Sequence, residues 1–171
     1  MLHNKEFSMF DLSILLGELL DRQNIQDTIA RSSLGQGLHR GKDSEIFHHW
    51  DETFSKDGLL DYSVVGGPVG SYRDLVKWMR GNGDTPGSMS VFSNWQHMLS
   101  LPIVTLAGNK ASARTELFAS HRGRPDRGFN VHYNVSGAFH DEMVRTPKGW
   151  RIRFRRLEVY FGDALQIGPS S

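Results

Sequence analysis

The sequence predicts an α+β fold in which a curved, mostly antiparallel sheet wraps around N-terminal helices. Three observations predict it. Apolar residues in the first half recur near helical spacing, as in Ile25, Ile29, Leu34 and Leu38. In the second half they alternate with the period of a strand, as in Ala111, Ala113, Thr115, Leu117, Ala119 and His121. Short turn signals join the alternating runs, so sequence neighbours pair as hairpins. Helices followed by hairpin-connected strands define α+β. A curved sheet over helices leaves a concave mouth, a usual seat for a small molecule.

The elements follow in order. Asn24–Leu38 is the first helix, weakened at its end by Gly35 and Gly37. Asp43–Phe54 is the second, with Ile46, Phe47, Trp50 and Phe54 as its apolar stripe and Asp43 at the N-cap. Lys56-Asp57-Gly58 is a turn, Leu59–Val65 a strand, and Gly66-Gly67-Pro68 its end. Ser71 opens a third helix, with Asp74 as the acidic partner of a capping box and Leu75, Trp78 and Met79 as the buried face. Gly81–Gly87 is a loop. Strands follow at Met89–Leu99, Ile103–Ala107, Lys110–His121, Phe129–Arg145 and Trp150–Phe161. Alternation slips at Arg155-Arg156, the mark of a bulge or bend.

Composition narrows the function. The 171 residues read as a single domain, 1–171, with its core at about 20–163. Net charge is +1, which gives no field for polyanions, so nucleic acid is not an expected partner. The chain has no Cys, which excludes disulfides, thiolate metal sites and a Cys nucleophile. Leu12–Leu20 is too short for a membrane span, carries Glu18 and follows no basic region. A cytoplasmic protein without membrane association is expected. No HExxH, P-loop or GxSxG motif is present, and no metal or cofactor is implied.

Eight His residues are the unusual feature, since imidazole suits proton transfer near neutral pH. His97 shares a strand face with Val91 and Trp95, and His121 ends the face of small and apolar residues on the next long strand. Tyr62 closes the Leu59–Tyr62 run, where its hydroxyl could donate to a carbonyl. Each has a bland alternative as a core residue. His48-His49 are adjacent on a helix, and His132 and His140 stand eight apart on a strand, so neither pair suits one ion. Arg122, Arg124, Arg127, Arg151, Arg153, Arg155 and Arg156 make either a basic patch or solvated strand edges.

The segment Gly137-Ala138-Phe139-His140-Asp141-Glu142-Met143-Val144-Arg145-Thr146, followed by Gly149-Trp150-Arg151-Ile152, resembles the closing hairpin of SnoaL-like domains of the nuclear transport factor 2-like superfamily. Phe139 stands where the family commonly has Tyr. The resemblance implies a cone-shaped, cystatin-like α+β barrel with a deep pocket, and a homodimer or homotrimer. Three places are similar to scytalone dehydratase: Asp61-Tyr62, Gln96-His97 and the run Glu116–His121. They imply His97 and His121 as the acid–base pair and Tyr62 as the group orienting a water against the substrate carbonyl. The family's Tyr-Asp near the end of the first long helix is Leu38-His39 here, so the Asp that would orient a His is replaced by His39.

The expected function is a cofactor-independent dehydratase acting on a small cyclic or polyketide-like hydroxy-carbonyl compound. His97, His121 and Tyr62 are its expected catalytic residues, and His39, Trp50, Trp95 and Phe139 its expected substrate contacts. Two alternatives stand. An isomerase or aldol cyclase would need a carboxylate base in the pocket, such as Asp141 or Asp61. A non-catalytic binding or structural subunit would have its pocket filled by large side chains.

Overall fold

The computed structural model describes residues 8–37, 43–82 and 84–166. Helix α1 runs from Met9 to Gly37, fifteen residues further toward the N-terminus than the predicted start at Asn24. Its start is a reciprocal cap: the Asp11 N–H donates to Ser8 Oγ (3.1 Å) and the Ser8 N–H to the Asp11 carboxylate (3.1 Å). In the first three turns Leu12, Leu15, Leu16, Leu19 and Leu20 form a stripe that the sheet does not cover, and Met9, Phe10 and Ile14 are exposed as well. Further on, Ile25, Thr28, Ile29, Ser32, Gly35 and Gln36 bury one face at helical spacing.

Helix α2 (Asp43–Asp51) stops three residues before the predicted end. The Thr53 N–H turns back onto Trp50 O (3.1 Å), and Phe54 begins strand β1 (Phe54–Asp61). The Lys56-Asp57-Gly58 turn signal is an irregularity inside β1, where the pairing shifts between Phe54 and Leu59. Tyr62 lies just past the strand and caps a 3-10 turn at Ser63–Val65, not a continuing strand; Gly66 ends the turn at φ 75°. Strand β2 (Val69–Gly70) leads into α3 (Tyr72–Arg80), where Ser71 and Asp74 form the expected capping box and Leu75 and Met79 are buried. Two short strands, β3 (Gly81–Asn82) and β4 (Thr85–Pro86), pair with each other in the region read as a loop.

Strands β5 (Phe92–Leu99), β6 (Ile103–Ala107), β7 (Lys110–Gly123), β8 (Val131–Thr146) and β9 (Gly149–Gln166) complete the main sheet. Its order is β2-β1-β9-β8-β7-β5, with β6 also on β7. Every pairing is antiparallel except β1 with β9. On β7 the six predicted inward residues, from Ala111 to His121, are all buried. The bulge falls at Arg153, which has no opposite residue between Phe154↔Glu142 and Ile152↔Met143; a second falls at Tyr160. An extra residue reverses which side chains face inward beyond it. Ile152 points in, and so do Arg155 and Leu157, which is why the alternation in the sequence slips two residues later.

The hairpin motif does structural work. Arg145 pairs with Asp21 on α1 and lies 4.5 Å over the Trp150 ring, while Trp150 Nε1 donates to Asp21 Oδ1 (3.0 Å). These contacts fasten α1 across the β8–β9 turn. Among the described residues no helix is long and apolar enough to cross a membrane.

Candidate active site

Inside the sheet lies a cavity of about 350 Å³. Tyr62, His97, His121 and Phe139 line it together with Gln36, Trp78, Met79, Phe92, Leu117 and Tyr133. Strand pairing brings the two histidines together. Trp95 lies opposite His121 and His97 opposite Ala119, so His97 and His121 are diagonal neighbours on the inward face. Their ring centroids are 5.5 Å apart, with the planes nearly perpendicular.

His121 is only 7% exposed. Its Nδ1 sits 3.1 Å from Tyr133 O. A carbonyl oxygen can only accept, so Nδ1 carries the hydrogen and Nε2 keeps its lone pair. Burial pushes the imidazole below its ordinary value of 6.5, and the bond to Tyr133 opposes this more weakly. His121 is therefore neutral at pH 7, with one basic nitrogen. His97 is anchored through its backbone: Ser33 Oγ on α1 donates to His97 O (3.0 Å).

Tyr62 is 4% exposed, and burial pushes its hydroxyl up to about 12. It is a donor at any ordinary pH. Burial raises the hydroxyl most, and the nearby positive charge of Arg155, a residue the sequence reading places in a basic patch or on a solvated strand edge, opposes the rise. Arg155 donates through Nε and Nη2 to both oxygens of Asp141, each at 2.7 Å, and through Nη1 to Ser32 Oγ (2.8 Å). Its guanidinium also lies 4.2 Å from the centre of the Phe139 ring. Asp141, Arg155 and Tyr62 thus form a buried polar chain ending at the cavity wall. The bulge at Arg153 is the signal that could have revealed it, because moving the slip two residues earlier turns Arg155 inward.

Two expected contacts are placed elsewhere. Trp50 is 1% exposed but packs in the core between Phe54 and Tyr72, with Nε1 donating to Ser32 O (3.1 Å); it does not line the cavity. The stripe of α2 faces α1 and β1, the elements this helix packs against. Trp95 faces inward but stands behind Gln36, donating from Nε1 to Gln36 O (3.2 Å), so Gln36 meets the cavity in its place. His39 lies outside the described residues. The seven arginines form no single patch: Arg155 is buried, Arg124 pairs with Asp126 (2.6 Å) and Arg153 with Asp57 (3.6 Å). Among the described residues no group of three or more His, Asp or Glu is placed to hold a metal ion.

A curved sheet closed by helices around an inward pocket is the cystatin-like architecture of the nuclear transport factor 2-like superfamily. The chain belongs to the SnoaL-like domain family, whose model matches residues 17–156. An uncharacterised protein of Mycobacterium tuberculosis is 30% identical over 153 residues, covering 89% of this chain and 94% of its own. A candidate scytalone dehydratase from Novosphingobium aromaticivorans superposes with a TM-score of 0.61 at 20% identity, covering 90% of this chain and 97% of that one. The hexachlorocyclohexane dehydrochlorinase LinA-type3 from Novosphingobium barchaimii superposes with a TM-score of 0.65 at 13% identity, covering 88% and 93%. At these identities the two structures establish the shared fold.

Proposed function

We propose that this chain is a cofactor-independent lyase that dehydrates a small hydroxy-carbonyl compound. The observation that carries the reading is the pair His97 and His121, 5.5 Å apart on the wall of an apolar cavity that Tyr62 also lines. His121 Nε2 removes the proton from the carbon beside the carbonyl. The electron pair moves onto the carbonyl oxygen, which accepts a hydrogen bond from Tyr62, directly or through a water. The enolate then re-forms the carbonyl, the bond from the β-carbon to its hydroxyl breaks, and the departing hydroxyl takes the one proton held by His121, directly or relayed through His97, and leaves as water. One C–H and one C–O bond are lost and one C=C bond is gained, so no oxidant or reductant is required. A positioned acid or base contributes about 10²–10⁴ in rate, and the charge of Arg155 behind Tyr62 favours the developing oxyanion.

The cavity is at the small end of ligand pockets, which fits a compact cyclic or polyketide-like substrate. The names of the two structural neighbours, a dehydratase and a dehydrochlorinase, both denote elimination. An isomerase or aldol cyclase is less well supported. No carboxylate is among the described residues lining the cavity: Asp141 is held by Arg155, and Asp61 accepts from Ser63 at the surface. The open cavity also speaks against a purely structural subunit.

The test is a panel of cyclic β-hydroxy ketones, followed by the absorbance of the conjugated enone. Wild-type protein should turn over at least one, and the His97→Phe/His121→Phe variant should turn over none while keeping its melting temperature. Turnover by that variant at the wild-type rate would overturn the assignment, and so would a panel that neither reacts nor shifts the imidazole resonances of His97 and His121.

A further inference from the structure

Outside the cavity, and sharing no lining residue with it, a groove lies where α1, α2 and the start of β9 meet. Arg31, Arg151, Lys148, His48, Asp51 and Glu52 line it. Asp51 is engaged, accepting from Tyr72 and from Arg73 Nη2 (3.1 Å). That leaves three permanent cations facing one further carboxylate, Glu52, whose charge acts on Arg151 and offsets only part of theirs.

Neither guanidinium has a carboxylate bonded to it among the described residues. Arg31 Nη2 donates to Thr28 Oγ1 (3.1 Å), and Arg151 Nη1 donates to its neighbouring carbonyl, Trp150 O (2.9 Å). The Nε–H of Arg31 is enclosed and finds no acceptor. An enclosed donor without an acceptor is costly, and it is uncommon in a folded chain unless a ligand or water completes it. The two guanidinia also oppose each other: burial first, and then the charge of Arg31, hold Arg151 below the ordinary arginine value. Thr28 stands between them: its Oγ1 donates to Asn24 O (2.8 Å), accepts from Arg31 and lies 3.3 Å from Trp150 O, the carbonyl that receives Arg151. Like charges held together by the scaffold, with donors unspent, make a receptor for a multivalent oxyanion.

We propose that this groove is a phosphate-binding site, in which the planar donor forks of Arg31 and Arg151 clamp the phosphoryl oxygens and Lys148 adds its charge from the β8–β9 turn. Planar guanidinia match phosphate oxygens two at a time, which a lone ammonium cannot do. A net charge of +1 favours one phosphate group over a polyanionic chain.

The test is calorimetric titration of the full chain with inorganic phosphate and with phenyl phosphate, against sodium chloride at matched ionic strength. Sedimentation with vesicles containing phosphatidic acid separates a lipid source from a free one. Arg31→Gln, Arg151→Gln and Lys148→Gln are compared, the last at an exposed turn where folding is not at risk. Each arginine variant should weaken phosphate binding by about tenfold or more, and Lys148→Gln by less. Without phosphate, Arg151→Gln should melt at or above the wild type, because a repulsion is relieved. Equal binding by wild type and the Arg31→Gln/Arg151→Gln variant would overturn the site, as would a chloride effect as large as that of phosphate. None of these readouts depends on turnover in the cavity.

Discussion

Arg155 and Asp141 face each other across β8 and β9 with both donor–acceptor distances at 2.7 Å, and their side chains are 1% and 0% exposed. Breaking such a pair from one side leaves a buried charge with no counter-charge. Asp141→Asn should cost about 3–5 kcal/mol, measured by urea denaturation. Replacing both partners with Leu and Met should cost much less. Equal losses in the single and double variants would mean that packing, not charge, governs this site.

The depressed imidazole of His121 has a defined sign in pH. Below about 6.5 the unfolded chain takes up a proton there that the folded chain refuses. Stability from this residue is fully present above that value. It is lost as pH falls toward the lower folded value and then levels off. Wild type minus His121→Phe, compared as denaturation midpoints across pH 4–8, should show this slope. A flat difference would mean that His121 is not desolvated.

Tyr62→Phe keeps the ring and removes the donor. Turnover should fall about 10²–10³-fold, as when one oxyanion donor is lost, with a stability cost of only ~1 kcal/mol for one hydroxyl. Because the hydroxyl is pushed up to about 12, wild-type activity should show no alkaline decline from this group below pH 10. A stability loss matching Asp141→Asn, with turnover preserved, would reassign Tyr62 to the core.

Gly35 is where α1 and α2 touch. A Cβ there would lie 2.1 Å from Trp50 Nε1. Gly35→Ala should displace the indole, break its bond to Ser32 O and cost about 1–3 kcal/mol. Denaturation together with a shift in tryptophan emission would register both effects, whereas an unchanged midpoint would show that the helices separate freely.

Much of the fold was legible because its signals are local. The capping box at Ser71 and Asp74 and the alternation of β7 need only neighbours in sequence. The equivalent cap at Ser8 and Asp11 is equally local, and Leu12, Leu15, Leu16, Leu19 and Leu20 behind it recur at helical spacing, so the early start of α1 was legible too. The candidate site was legible in part. His97, His121, Tyr62 and Phe139 converge on one cavity, whereas Trp50 was drawn there only by its hydrophobicity.

By itself, then, the sequence determined which residues alternate, which helix ends are capped and which side chains can carry protons, since these follow from nearest neighbours and side-chain chemistry. Tertiary structure alone decided where alternation breaks and what that break delivers. The extra residue at Arg153 is defined only by the partner strand it fails to match, and it turns Arg155 from a surface cation into the buried charge behind Tyr62. The register of β5 on β7, also a property of two chain segments rather than one, sets the two imidazoles side by side.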